Sequence, residues 1–181
     1  MLQITIPTTE QWDEQQQMFV YTKEQTLQLE HSLVSLSKWE SKWNKAFLSN
    51  QEKTYEETID YVRCMTLTQN VNPDVYRCLS RENIEQINNY IDSKMTATYF
   101  SDDKSIGKRN SEIVTSEIIY YWMIALNIPF ECQKWHLNRL LTLIKVCNIK
   151  NQPPKKMGRR DVMRNNSAIN AARRKRFNSK G

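Results

Sequence analysis

The sequence predicts a mainly α protein with a small N-terminal antiparallel β-sheet, an α+β fold that ends in a basic helical arm. Three observations carry this. Hydrophobic periodicity changes from two to about 3.6 near Ser32. Glycine is scarce, at three residues, which disfavours hairpin-rich architectures and glycine-built phosphate loops. Charge is divided unevenly: residues 150–181 hold eleven Lys or Arg and one acid, Asp161. That segment carries +10 within a chain of +6, so residues 1–149 carry −4. The division separates a helical body, residues 1–149, from an arm, residues 150–181.

The opening "LQITI" alternates apolar and polar residues before Pro7 and reads as a strand. "QMFVYT" and "TLQLEHS" read as two further strands joined around Lys23, Glu24 and Gln25. From Ser32, a suitable N-cap, Leu33, Leu36, Trp39, Trp43 and Phe47 recur at three and four and mark one helix face. Thr54 with Glu57 three residues later forms a capping-box pattern for a second helix, with Tyr55, Ile59, Val62 and Met65 or Leu67 inward. Asn72-Pro73 is turn chemistry, and Ser80 caps "SRENIEQINNYIDSKM". Residues 96–110 lack apolar periodicity and read as a loop, so the pair Asp102-Asp103 reads as a solvated turn.

"SEIVTSEIIYYWMIALN" is apolar on most of its circumference in its second half and is expected to be the central buried helix. "FECQKWHLNRLLTLIKVCNIKN" follows as one helix with Trp135, Leu140, Leu141, Ile144 and Cys147 inward, stopped by Pro153-Pro154. The last segment, "GRRDVMRNNSAINAARRKRF", can form a helix whose stripe of Val162, Ile169 and Ala172 is too thin to fold alone.

No membrane contact is expected: the most apolar run, Ile118 to Leu126, is nine residues, where a span needs about twenty. The four cysteines form no CxxC pair, and Cys132 with His136 supplies two ligands where a zinc site needs four, so neither metal nor cofactor is expected. Two histidines, no GxSxG, no Walker loop and no HExxH argue against an enzyme. The candidate functional residues are therefore those that bind partners: Trp39 and Trp43 on the aromatic stripe, for which core packing is the plainer role, and Arg159, Arg160, Val162, Arg164, Ile169, Arg173, Arg174 and Arg176 in the arm. The arm's spacing of basic pairs fits a bipartite nuclear import signal or a helix laid along phosphates; with only Phe177 among the cations, base stacking is disfavoured.

The stretch "SEIIYYWMIALNIPFECQKWHLNRLLTLIKVCNIKNQPPKK", with "LEHSLVSLSKWESKW" and "AINAARRKRFNSKG", resembles small proteins from the tail-assembly regions of long-tailed bacteriophages, including tail-assembly chaperones and neighbouring tail or neck proteins. The resemblance covers the chain from about Leu27 onward and carries no catalytic signature. It implies a non-enzymatic assembly or structural protein in the host bacterial cytoplasm, or in the virion, whose partners are tape-measure, tail or neck proteins. In that setting the nuclear signal loses its compartment and the arm becomes a docking arm. The alternative is a basic-armed nucleic-acid-binding protein, and weak non-specific contact with nucleic acid is compatible with either.

Overall fold

A computed structural model describes residues 1–13, 17–100, 113–152 and 158–178. The chain is mostly helical, with antiparallel strand pairs at its N-terminus, as the periodicity predicts. It divides into two compact units, residues 1–148 and 149–181. The expected loop around Asp102-Asp103 and the stop at Pro153-Pro154 lie outside the described residues.

Strand β1 (Leu2–Ile6) pairs with β4 (Gln25–Leu29), and β2 (Thr9–Asp13) pairs with β3 (Met18–Thr22). The pairs are nested in one register, since Ile6 faces Gln25 and Thr9 faces Thr22, three residues further on in each direction. The gap falls at Pro7, which has no N–H to give to a ladder. There the Glu24 N–H is taken by the Thr8 hydroxyl at 3.2 Å. Sequence reading missed β2, because "TEQWD" has no apolar alternation. Ile4, Ile6, Leu27 and Leu29 alternate inward and are buried. Residues after the second helix extend the outer pair: Leu67 N–H donates to Gln28 O at 2.8 Å and Glu30 N–H to Met65 O at 2.9 Å.

Helix α1 (Leu33–Trp43) starts at a Ser32 capping box and stops at Asn44, which takes the left-handed conformation at φ 51°. Phe47 thus leaves the helix that the stripe assigned to it. It returns over the core instead, stacked on Tyr61 at 3.9 Å between centroids and edge-on to Trp39 at 5.1 Å. Helix α2 (Tyr55–Met65) has the Thr54–Glu57 box read from sequence. A 3₁₀ turn, Pro73–Cys78, leads to α3 (Arg81–Asp92), capped by Ser80.

The expected central helix is not central. Helix α4 (Ser116–Ala125) buries Ser116, Ile119 and Met123, while Tyr121 and Ile124 are 67% and 61% exposed. Because nearly every position is apolar, the sequence hides which face is turned inward. The central role belongs to α1. Its Trp39 lies in a cluster with the β1–β4 pair, α2 and α3, while Leu33 and Leu36 lie in a second cluster with Ile119, Met123, Leu137 and Leu140. The next predicted helix is also divided, into a 3₁₀ turn, Phe130–Lys134, and α5 (Leu137–Asn151). Leu137 N–H donates across the break to His31 O at 2.7 Å.

Buried Glu40 ties the α1 end to α4: one carboxylate oxygen accepts Phe47 N–H at 2.8 Å, the other Ser116 N–H at 2.7 Å. Thr115 gives α4 no side-chain cap, so Glu40 supplies the missing acceptor at the positive end of the helix. Helix α6 (Arg159–Phe177) has no buried residue. Glu40→Ala is expected to cost about 2–4 kcal/mol, since one buried and one half-buried N–H lose their acceptor. Deleting residues 158–181 is expected to cost less than about 1 kcal/mol, as for changes away from a core. Urea unfolding of both variants checks this, and the reverse ranking would place the core elsewhere.

Candidate functional site

The two tryptophans proposed for partner contact have different positions. Trp39 is 1% exposed and its indole N–H donates to Glu57 O at 2.8 Å, so it belongs to the core and cannot anchor a partner. Trp43, one turn later, is half-buried and opens onto the surface. It walls a concavity of about 430 Å³ with Tyr55, over Ile59, bordered by the cations Lys42 and Arg63. Tyr55 corrects the sequence reading: it stands 64% exposed at the first position of α2, whereas Ile59 four residues on is buried. Their shared spacing was the signal, but only the inner end of that stripe reaches the core.

Two of the ionisable groups lining this concavity, Lys42 and Asp60, are engaged with each other. Asp60 accepts from Trp43 Nε1 at 2.9 Å and pairs with Lys42. On the same helix, buried Glu57 pairs with Lys45 and accepts the Thr54 N–H at 2.9 Å. The Lys45 hydrogen bond, then the Thr54 backbone bond, hold the Glu57 carboxyl below the usual carboxylate range. Burial pushes the nearby Cys64 thiol up, away from the thiolate a nucleophile needs. Such a site offers shape, aromatic faces and a charged border. It suits recognition of a side chain.

The histidines are structural. His31 Nδ1 meets the Tyr61 hydroxyl at 2.6 Å, and the His31 and His136 rings lie edge to face at 5.1 Å. His136 Nδ1 accepts Asn138 N–H at 3.3 Å, so its Nε2 carries the proton and donates to Tyr90 O at 3.0 Å. Cys132 lies in the 3₁₀ turn and His136 beyond the break, so the two do not share a helix face as the four-residue spacing suggested. Among the described residues no group of three His, Cys, Asp or Glu could hold a metal ion. Among them, too, no helix is long and apolar enough to cross a membrane.

The arm residues named from sequence all lie on α6 and all are exposed. Val162 and Ile169, seven apart on one face, are 40% and 43% exposed, and with Ala172 they make up the stripe read from sequence. Arg159, Arg160 and Arg164 cluster near its start; Arg173, Arg174, Lys175 and Arg176 cluster near its end. The eight residues between them, 165–172, carry no charge.

No family model matches the chain, and no curated protein or solved structure matches it.

Burial, and then the neighbouring His136, lower the His31 pKa to about 4. The folded chain therefore keeps His31 neutral where the unfolded chain, near 6.5, takes up a proton. The unfolded state binds more protons between pH 6.5 and 4, so stability falls as pH drops through that window and levels off below it. His31 alone accounts for a loss of up to about 3 kcal/mol at 1.36 kcal/mol per pKa unit. Urea unfolding between pH 7 and pH 4 checks this. His31→Gln is expected to flatten the slope, and an unchanged slope would remove His31 as its source.

Proposed function

We propose that this chain is a non-enzymatic assembly or structural protein of a tailed bacteriophage, similar in role to a tail-assembly chaperone. It binds tape-measure, tail or neck proteins in the infected host cytoplasm. The resemblance of residues 116–156, "LEHSLVSLSKWESKW" and the closing arm supports the phage setting. The observation that carries the binding role is the concavity between Trp43 and Tyr55, an aromatic cleft beside the bonded pair Trp43–Asp60. Its size accepts one or two apolar side chains of a helical partner, and charged groups of both signs, Glu56 and Arg63 among them, border it. The exposed face of α4, with Tyr121 and Ile124, offers a second apolar surface on the same body. The alternative role, a basic-armed nucleic-acid binder, rests on the arm and shares no residue with the cleft.

Apolar burial at the cleft makes this contact persist in salt, because ions screen exposed charges and leave apolar contact intact. Full-length protein is therefore expected to hold a purified helical tape-measure segment in about 0.5 M salt, well beyond the screening of surface pairs. Tyr55→Ala is expected to weaken that complex by about tenfold or more, as for an aromatic interface anchor. The same change should leave thermal stability within about 0.5 kcal/mol, since the side chain is exposed. Isothermal titration with a parallel thermal melt reads both. A complex that dissolves in salt, or ignores Tyr55, would overturn the reading.

A further inference from the structure

Helix α6 concentrates the chain's positive charge in a form that fits one class of ligand. Cations stand at both of its ends and none lies between. At 1.5 Å per residue the neutral segment 165–172 is about 12 Å long, the width of the B-DNA major groove. That segment holds small or amide side chains, Asn165, Asn166, Ser167 and Asn170 among alanines, with Ile169 the largest. It is slim enough to enter a groove, and its amides suit base edges, where Asn pairs with adenine.

The circumference decides between a protein face and a groove. Successive residues of a helix turn by about 100°, so the run Arg173–Arg176 projects to every side. Arg159, Arg160 and Arg164 spread over more than a third of the circle. A helix laid on an acidic protein face would leave several of these cations in water. A helix sunk in a groove has phosphates on both walls. At the N-terminal end Arg159 and Arg160 stand beside Asp161, the one acid of the first turn, and Gly158 provides no side-chain cap. A phosphate there would pair with the two arginines.

We infer that α6 binds duplex DNA in the major groove, with its two basic clusters on phosphates of opposite walls and the Asn-rich segment against the bases. This goes beyond the assembly role and is independent of the Trp43–Tyr55 cleft, so either can fail alone.

The test is fluorescence anisotropy of full-length protein with a labelled mixed-sequence duplex of about 20 base pairs. With about six phosphates neutralised, log affinity should fall against log salt with a slope of about −5. Affinity then drops on the order of a thousandfold between about 50 and 200 mM salt. The double variants Arg159→Gln/Arg160→Gln and Arg173→Gln/Arg174→Gln should each make the slope shallower by about 2. Circular dichroism checks that each keeps its helix. Double-stranded RNA has a deep, narrow major groove that a helix cannot enter, so it and single-stranded DNA should bind at least about tenfold more weakly than duplex DNA. Equal binding to all three would reduce α6 to a general polycation and overturn the inference. So would a slope that responds to only one of the two double variants, or no binding at low salt.

Discussion

A carboxylate taken out of water must find donors for both oxygens, and the position of Glu40 turns that requirement into architecture. It stands on α1, the helix shared by both hydrophobic clusters. Its two acceptors are met by backbone N–H groups of residues 47 and 116, far apart in sequence. One bond fixes the return of the chain after the left-handed turn at Asn44 and so seats Phe47 on Tyr61 and Trp39. The other fixes the first residue of α4 and so the side that α4 turns to the core. If Glu40 were left unpaired the desolvation cost would be severe, so the two contacts are obligatory together. Apolar burial supplies the driving force, but it is non-directional. The carboxylate selects one arrangement.

A second polar seam serves the other side of α1. The His31 carbonyl takes the first N–H of α5, the His31 ring meets Tyr61, and the His136 ring reaches the α3 carbonyl of Tyr90. Asn138 adds two bonds at 2.9 Å to the carbonyls of Ile91 and Ser93, closing the end of α3. The two hydrophobic clusters are thus joined through hydrogen bonds whose geometry is specific, along a line that apolar packing alone would leave free to slide. Among the described residues no fully buried side-chain polar atom lacks a partner. Of the groups weighed as metal ligands, Cys132 is buried in the second cluster and His136 is bonded to the Tyr90 carbonyl.

Legibility followed locality. Caps at Ser32, Thr54 and Ser80 were readable because each is a contact within three residues. The alternation of Ile4 and Ile6, and of Leu27 and Leu29, was readable because a strand's period is local too. What the sequence concealed depends on distant partners. The inward face of α4 is chosen by Glu40, 76 residues before Ser116. Strand β2 forms because β3 is paired to it in a register continued from β1 and β4. Trp39 and Trp43 are four apart and look alike in sequence, yet one is core and the other lines the cleft, because α1 ends at Trp43. The arm's helix and charge were legible; the exposure of every residue of α6 was not.

The segregation of charge has its own logic. A cation placed in the body's shared core would have to be paired or lose its charge, and the body solves this by pairing Lys42 with Asp60 and Lys45 with Glu57 at its surface. The arm does the opposite. It gathers seven cations and one acid on a helix with no buried residue, two of them at the end where the dipole disfavours them. The last-turn cations Arg174, Lys175 and Arg176 and the first-turn acid Asp161 suit the dipole, while Arg159 and Arg160 oppose it. Such local disagreement is expected at functional sites. The ligand inferred for α6 is anionic, reaches both ends at once and surrounds the helix. A self-contained fold gains nothing from such a segment, while a polyanion with a groove removes the repulsion at each end in one binding event.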